Sequence, residues 1–254
     1  MAWANPSPPA ARLFGIPLTI DRSWYAVALF LTWSLATSYF PWQVPGLAPA
    51  AYWAMGAAAS VLLFVCVLLH ELGHALVARL HGIPVAGITL FIFGGVARLA
   101  GESHRPSVEL KVTLAGPLVS GALALGCRWL AAHLPTATLP GLMAAGVAQY
   151  LVMINIAVLI FNLLPGFPLD GGRLLHAVLW AILHDGRRAT RIASAFGIAF
   201  GYALAALGFW SLWKGRWSTG IWYVLLGMFL RNAARASFVR SRAQPVPRVG
   251  AGGT

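Results

Sequence analysis

No charged residue occurs between Ser23 and Leu69, and Pro41, Pro45 and Pro49 interrupt that run. A helix needs about 20 apolar residues to cross a hydrocarbon core, and prolines this dense end one helix and open another. The pattern predicts spans at about 24–40 and 52–80, the second stopped by His81-Gly82-Ile83-Pro84. Later apolar stretches predict spans at about 112–130, 142–161, 191–213 and 217–231, with a shorter helix at 174–183 closed by Asp185-Gly186. Residues 85–99 break the rhythm: they are β-branched and aromatic around Gly94-Gly95, and read as one or two strands. Leu13 to Ile20 has a similar character and could pair with them. The expected fold is an all-α polytopic membrane protein, with six transmembrane helices and a small membrane-associated β-element between helices 2 and 3. Residues 1–11 are expected to be a disordered start, 12–236 the core, and 237–254 a basic tail rich in Pro and Gly.

Composition supports the bilayer reading. The 254 residues are 59% hydrophobic and 9% charged, against about 25% charged in an average globular chain. Too few charges are present to coat a water-facing surface, which excludes a soluble globular or a disordered protein. The net charge of +12 could suit nucleic acid or a membrane surface, and position decides between them. Basic residues sit at the ends of apolar runs, without the dense stripe a nucleic-acid groove needs. With the amino terminus inside, only Arg128, Lys214 and Arg216 of the 18 Lys and Arg fall outside. The positive-inside rule therefore favours cytoplasmic amino and carboxyl termini in a multi-pass protein; the expected setting is the cell membrane of a prokaryote. Cys66 and Cys127 lie inside apolar runs and make no disulfide framework.

Four of the six acids, Asp21, Glu102, Glu109 and Asp185, lie at span ends or in loops and read as solvated. Glu71 does not: apolar sequence flanks it on both sides, where an ionisable group costs at least about 2.5–3.5 kcal/mol on insertion scales. It belongs to His70-Glu-Leu-Gly-His74. On a helix His74 lies about 40° round from His70 and one turn along, so both imidazoles can grip one ion while Glu71 reaches a water on it. Seven histidines and three glutamates in 254 positions would produce this pattern by chance about twice in a thousand. A catalytic zinc takes three protein ligands and keeps a fourth place for water. His81, His104, His133 and His184 sit in loops or at span ends, and His176 is a weaker choice than Asp170. Asp170 lies in a segment broken by glycine and proline, at the inner end of span four. Irregular backbone at that depth is tolerated where it lines protein or a water cavity.

His70-Glu-Leu-Gly-His74, Gly94-Gly95-Val96 and Asn162-Leu-Leu-Pro-Gly-Phe-Pro-Leu-Asp170-Gly together resemble the site-2 proteases, a family of intramembrane zinc metalloproteases, and Leu114-Ala-Gly-Pro-Leu-Val-Ser120 is similar too. The resemblance covers roughly residues 12–236. It implies one Zn2+ per chain, with His70, His74 and Asp170 as ligands and Glu71 as catalytic base. It also implies that Asn162 positions substrate or stabilises the oxyanion. The implied substrate is a transmembrane segment of a membrane-tethered protein. Some relatives carry a PDZ or cystathionine-synthase-type domain, and no sequence of either kind is visible here. Two readings of other classes stay open: a metal-ion transporter with an intramembrane His/Asp site, and a catalytically silent membrane chaperone.

Overall fold

The structure is a computed structural model and describes residues 9–92, 94–101 and 105–243. It is mostly helical, with one small sheet, and the chain divides into two compact units at the junction between Phe161 and Asn162.

The first unit begins with strands β1 (Ala11–Leu13) and β2 (Ile16–Ile20), joined by a tight turn. Phe14 and Gly15 both take positive φ there, 49° and 77°, the geometry that matches the twist of an antiparallel hairpin. Asp21 then caps α1 (Arg22–Ser34). The hydroxyl and the amide of Ser23 both donate to its carboxylate and hold the Asp21 carboxyl below the ordinary range. A π-helical segment, Leu35–Tyr39, carries the chain from α1 into α2 (Phe40–Gln43). Pro41 lies in this stretch, where a proline ring clashes with the usual i−4 carbonyl, and the wider turn ahead of it relieves that clash.

Helix α3 (Pro49–Leu80) follows, with proline in its first turn. At about 1.5 Å per residue its 32 residues run for about 48 Å. It ends where the pattern predicts: Gly82, at φ 75°, lets Gly82 N–H reach the Arg79 carbonyl and Ile83 N–H reach the Ala78 carbonyl. That is a Schellman cap, sealed by apolar contact between Ile83 and Ala78. Strands β3 (Val85–Phe91) and β4 (Gly94–Leu99) complete a sheet of order β1-β2-β3-β4. β2 pairs with β3 in parallel, Leu18 opposite Ile88, and β3 pairs with β4 antiparallel, which leaves β4 at an edge. Ile16, Leu18, Ile88 and Leu90 turn one face of the sheet onto Leu72 and Ala75 of α3. α4 (Pro106–His133) and α5 (Leu139–Asn162) complete the helices that begin in this unit. α3 and α4 approach closely at Gly73, where an added Cβ would lie 3.1 Å from the Ala115 carbonyl oxygen.

The second unit holds α6 (Asp170–Leu183), α7 (Gly186–Trp213) and α8 (Trp217–Ala243). α7 and α8 form an antiparallel hairpin along a seam of small residues spaced by seven: Ser194, Gly201 and Gly208 on one side, Gly220, Gly227 and Ala234 on the other. A Cβ at Gly227 would meet the Gly201 carbonyl oxygen at 2.6 Å. Without a water-driven force between helices, such close backbone approach is what holds apolar helices together.

Among the described residues, α3, α4, α5 and α7 are long and apolar enough to cross a membrane. Four of the six expected spans thus meet that length and composition. The regular part of α1 has only 13 residues, and Arg231, Asn232 and Arg235 make the second half of α8 polar. Other boundaries also shift. α4 begins at Pro106, so Glu109 and Lys111 are helical, and Glu109 is buried rather than solvated. α6 begins at Asp170 rather than 174, and α8 runs to Ala243 through the start of the expected tail. Leu13 to Ile20 does pair with the 85–99 region, and strand structure starts already at Ala11. Glu102, His104 and the tail after Ala243 lie outside the described residues.

Gly227→Leu should force the α7–α8 seam apart. The expected loss is about 1–3 kcal/mol, the usual cost of overpacking, measured by denaturant titration of the protein in mixed micelles.

Candidate metal centre

His70, Glu71 and His74 occupy one stretch of α3, and the two histidines are almost fully buried at 3% and 4% exposure. Their rings stand nearly perpendicular, at 79°, with Nε2 of one 3.2 Å from Nε2 of the other. One helix turn thus aims two imidazole nitrogens at the same point, as the i, i+4 spacing requires.

Helix α4 engages the other nitrogen of each ring. His74 Nδ1 lies 2.8 Å from the Val112 carbonyl oxygen, and His70 Nδ1 lies 2.9 Å from the Ser120 hydroxyl. A carbonyl only accepts, so Nδ1 of His74 carries the proton and Nε2 presents its lone pair. Gly116 lies between these two partners on the same helix. A Cβ there would come within 2.2 Å of His74 Nε2 and 2.7 Å of His70 Nε2. The absence of a side chain at 116 is therefore what leaves room at the nitrogen pair.

Glu71 points to the sheet. Its Oε2 accepts a 2.8 Å hydrogen bond from the backbone N–H of Ala97 on β4. Gly95 makes this approach possible, since a Cβ at that position would meet Glu71 Cγ at 2.6 Å. The carboxylate is thus anchored by backbone and shares its helix turn with the imidazole pair. Neutral imidazole and carboxylate are the donors a catalytic zinc takes, and the space held open by Gly116 fits an ion between the Nε2 atoms.

Asp170 and Asn162 belong to the second unit. Asp170 is the first residue of α6 and is half-buried. Gly171 and Gly172 let the 163–167 segment fold back over this first turn, because a Cβ on Gly171 would strike the Leu163 carbonyl oxygen at 2.3 Å and one on Gly172 the Gly166 carbonyl carbon at 2.2 Å. A carboxylate at a helix amino terminus is also favoured by the helix dipole. Asn162 is the last residue of α5 and is half-buried. His176 faces elsewhere: its Nε2 lies 3.2 Å from the Gly186 carbonyl oxygen and its ring lies beside Phe167 and Trp180. His81 and His133 bond carbonyls of their own helices.

The sequence assigned no role at this centre to Val112, Gly116, Gly95 or Ala97, although Gly95 and Gly116 lie in motifs it singled out. Two act through backbone groups and two through a missing side chain, so no reactive residue type marks them. Gly116→Ala tests the geometry. Alanine favours a helix interior over glycine by about 0.8–1 kcal/mol, so the helix itself is not weakened, yet the new methyl should disturb the imidazoles. Zinc retention, measured by competition with a chelator, is expected to fall about 10-fold or more, the scale of outer-shell changes at metal sites.

The profile of peptidase family M50 matches residues 58–146 and 133–204. Rip3 of Mycobacterium tuberculosis is 38% identical over 236 residues, 93% of this chain and 60% of that protein. The zinc metalloprotease MJ0392 of Methanocaldococcus jannaschii is 32% identical over 152 residues, 60% of this chain and 43% of that one. The solved site-2 protease from Methanocaldococcus jannaschii has the same fold, with a TM-score of 0.59 at 24% identity over 91% of this chain and 94% of that one. The chain spans about 60% of the length of Rip3. More than half of the sequence matches the family profile, around the helix that carries His70, Glu71 and His74, and the chain belongs to peptidase family M50.

Proposed function

We propose that this chain is an intramembrane zinc metalloprotease that hydrolyses peptide bonds in or near transmembrane segments of membrane-tethered proteins. The observation that carries the reading is the buried Nε2 pair at 3.2 Å with the Glu71 carboxylate anchored beside it on the same helix. His70 and His74 would hold one zinc ion, and Asp170 is assigned as the third ligand because it supplies a half-buried carboxylate at a helix start within the Asn162–Gly171 motif. When bound, zinc supplies a Lewis acid that polarises the scissile carbonyl and lowers the pKa of water to about 7. Glu71 takes the proton from the attacking water and passes it to the leaving amine. Asn162 is assigned to substrate positioning or to the oxyanion.

The proposed setting is the cell membrane of a prokaryote, with both termini cytoplasmic and six crossings within residues 12–236. The arginine distribution supports the orientation, and α1 and α8 would be the two crossings beyond the four long apolar helices. A helical substrate must expose its peptide bond, and an extended segment could add to the edge strand β4, with its backbone hydrogen bonds offsetting those lost in the helix. β4 is suited to this because Glu71 is tied to that same strand through Ala97. Ion transport gives Glu71 no role, whereas hydrolysis does.

Glu71→Gln is expected to keep one zinc per chain and to lose cleavage of a single-span model substrate by about 10²–10⁴-fold; transport or helix binding would survive the change. Asp170→Ala is expected to lose zinc. Full zinc affinity in that variant, measured by chelator competition, would remove Asp170 from the ligand set. For the strand addition, Val96→Cys on the half-exposed β4 should crosslink to a cysteine placed near the cleavage site of the substrate. Failure to crosslink at any substrate position near that bond would sink it.

A further inference from the structure

The segment Leu114–Ser120 stood out in the sequence, yet the zinc chemistry above leaves Ser120 without a task. Ser120 is buried at 1% exposure on α4, and its hydroxyl lies 2.9 Å from His70 Nδ1, across 50 residues of sequence. We infer that Ser120 is a positioning residue for the metal centre, whose hydroxyl accepts the Nδ1 proton of His70 and thereby holds the ring with its Nε2 lone pair toward the ion. This inference rests on the zinc reading and names a residue that sets the affinity of that site.

The geometry of α4 makes the assignment specific. Val112, Gly116 and Ser120 recur every four residues, so they form one stripe on the helix face. α3 and α4 run antiparallel here, with His74 meeting Val112 and His70 meeting Ser120. Gly116 faces both imidazoles between them. One stripe of α4 therefore supplies an acceptor for each Nδ1 and a gap for both Nε2 atoms. The two acceptors differ in kind. Val112 acts through a main-chain carbonyl, so a substitution there leaves the acceptor in place. Ser120 acts through its side chain, and its removal leaves His70 Nδ1 without that acceptor in an apolar surrounding. An imidazole without such a partner can rotate or present the other tautomer, and either loses the aim of Nε2.

The test measures zinc affinity of the full chain in lipid nanodiscs by competition with a chelator of known affinity. Ser120→Ala is expected to weaken zinc binding about 10–100-fold, and Ser120→Thr, which keeps the hydroxyl, to restore most of it. Ser60→Ala serves as the matched control: Ser60 is equally buried at 1%, and its hydroxyl bonds the Ala28 carbonyl on the α1 side of α3. It should leave zinc affinity unchanged. At saturating zinc, Ser120→Ala should recover cleavage of a model substrate, as a residue acting through His70 rather than on the substrate would. Wild-type affinity in Ser120→Ala, or an equal loss in Ser60→Ala, overturns the role of Ser120 while the zinc reading stands. A wild-type chain with no affinity for zinc overturns both.

Discussion

Two imidazoles buried among apolar helices must each find partners for both ring nitrogens, because an unsatisfied polar group in a low-dielectric interior costs several kcal/mol. The first unit meets this demand by laying α4 antiparallel along α3. Val112 and Ser120 take the Nδ1 atoms and Gly116 leaves the Nε2 atoms room to face each other. Close packing at Gly73 sets the distance between the two helices. Any residue larger than glycine at 116 would convert a site into a contact.

The sheet is the second consequence. A carboxylate on the same helix turn as two imidazoles needs its own anchor, and β4 provides it through the Ala97 amide, with Gly95 stripped of a side chain to allow the approach. The strand is held there because Ile88 and Leu90 of its neighbour β3 bury themselves on α3 together with Ile16 and Leu18. Hydrophobic burial of one sheet face thus fixes the position of a polar group belonging to α3. The amino-terminal hairpin is part of that arrangement, since β2 pairs with β3.

In the second unit, small residues do the same work without chemistry. The α7–α8 seam and the fold of residues 163–167 over the start of α6 both depend on glycine where backbone meets backbone. The close backbone packing of Gly171 and Gly172 against residues 163–167 then fixes the first turn of α6, where Asp170 stands.

The reading of this chain from sequence was strongest where a single local period carries the signal. His70, Glu71 and His74 could be placed on one helix face from spacing alone, and the stop at Gly82 followed from the need for a left-handed residue at the helix end. The strand character of residues 85–99 was legible from side-chain branching. Interruptions were harder: Pro41 looked like a helix terminator, yet a π-helical turn absorbs it, and the buried Glu109 looked solvated because its helix begins earlier than the apolar run. The roles of Ser120, Gly116, Gly95 and Ala97 lay beyond any local period. They arise from pairings 24 to 50 residues apart, and a serine or glycine in an apolar helix reads the same whether it packs or supports a ligand. Residue type and local spacing therefore determined which groups could do chemistry, while only the packing of α4 and β4 against α3 decided which backbone and hydroxyl groups hold them in place.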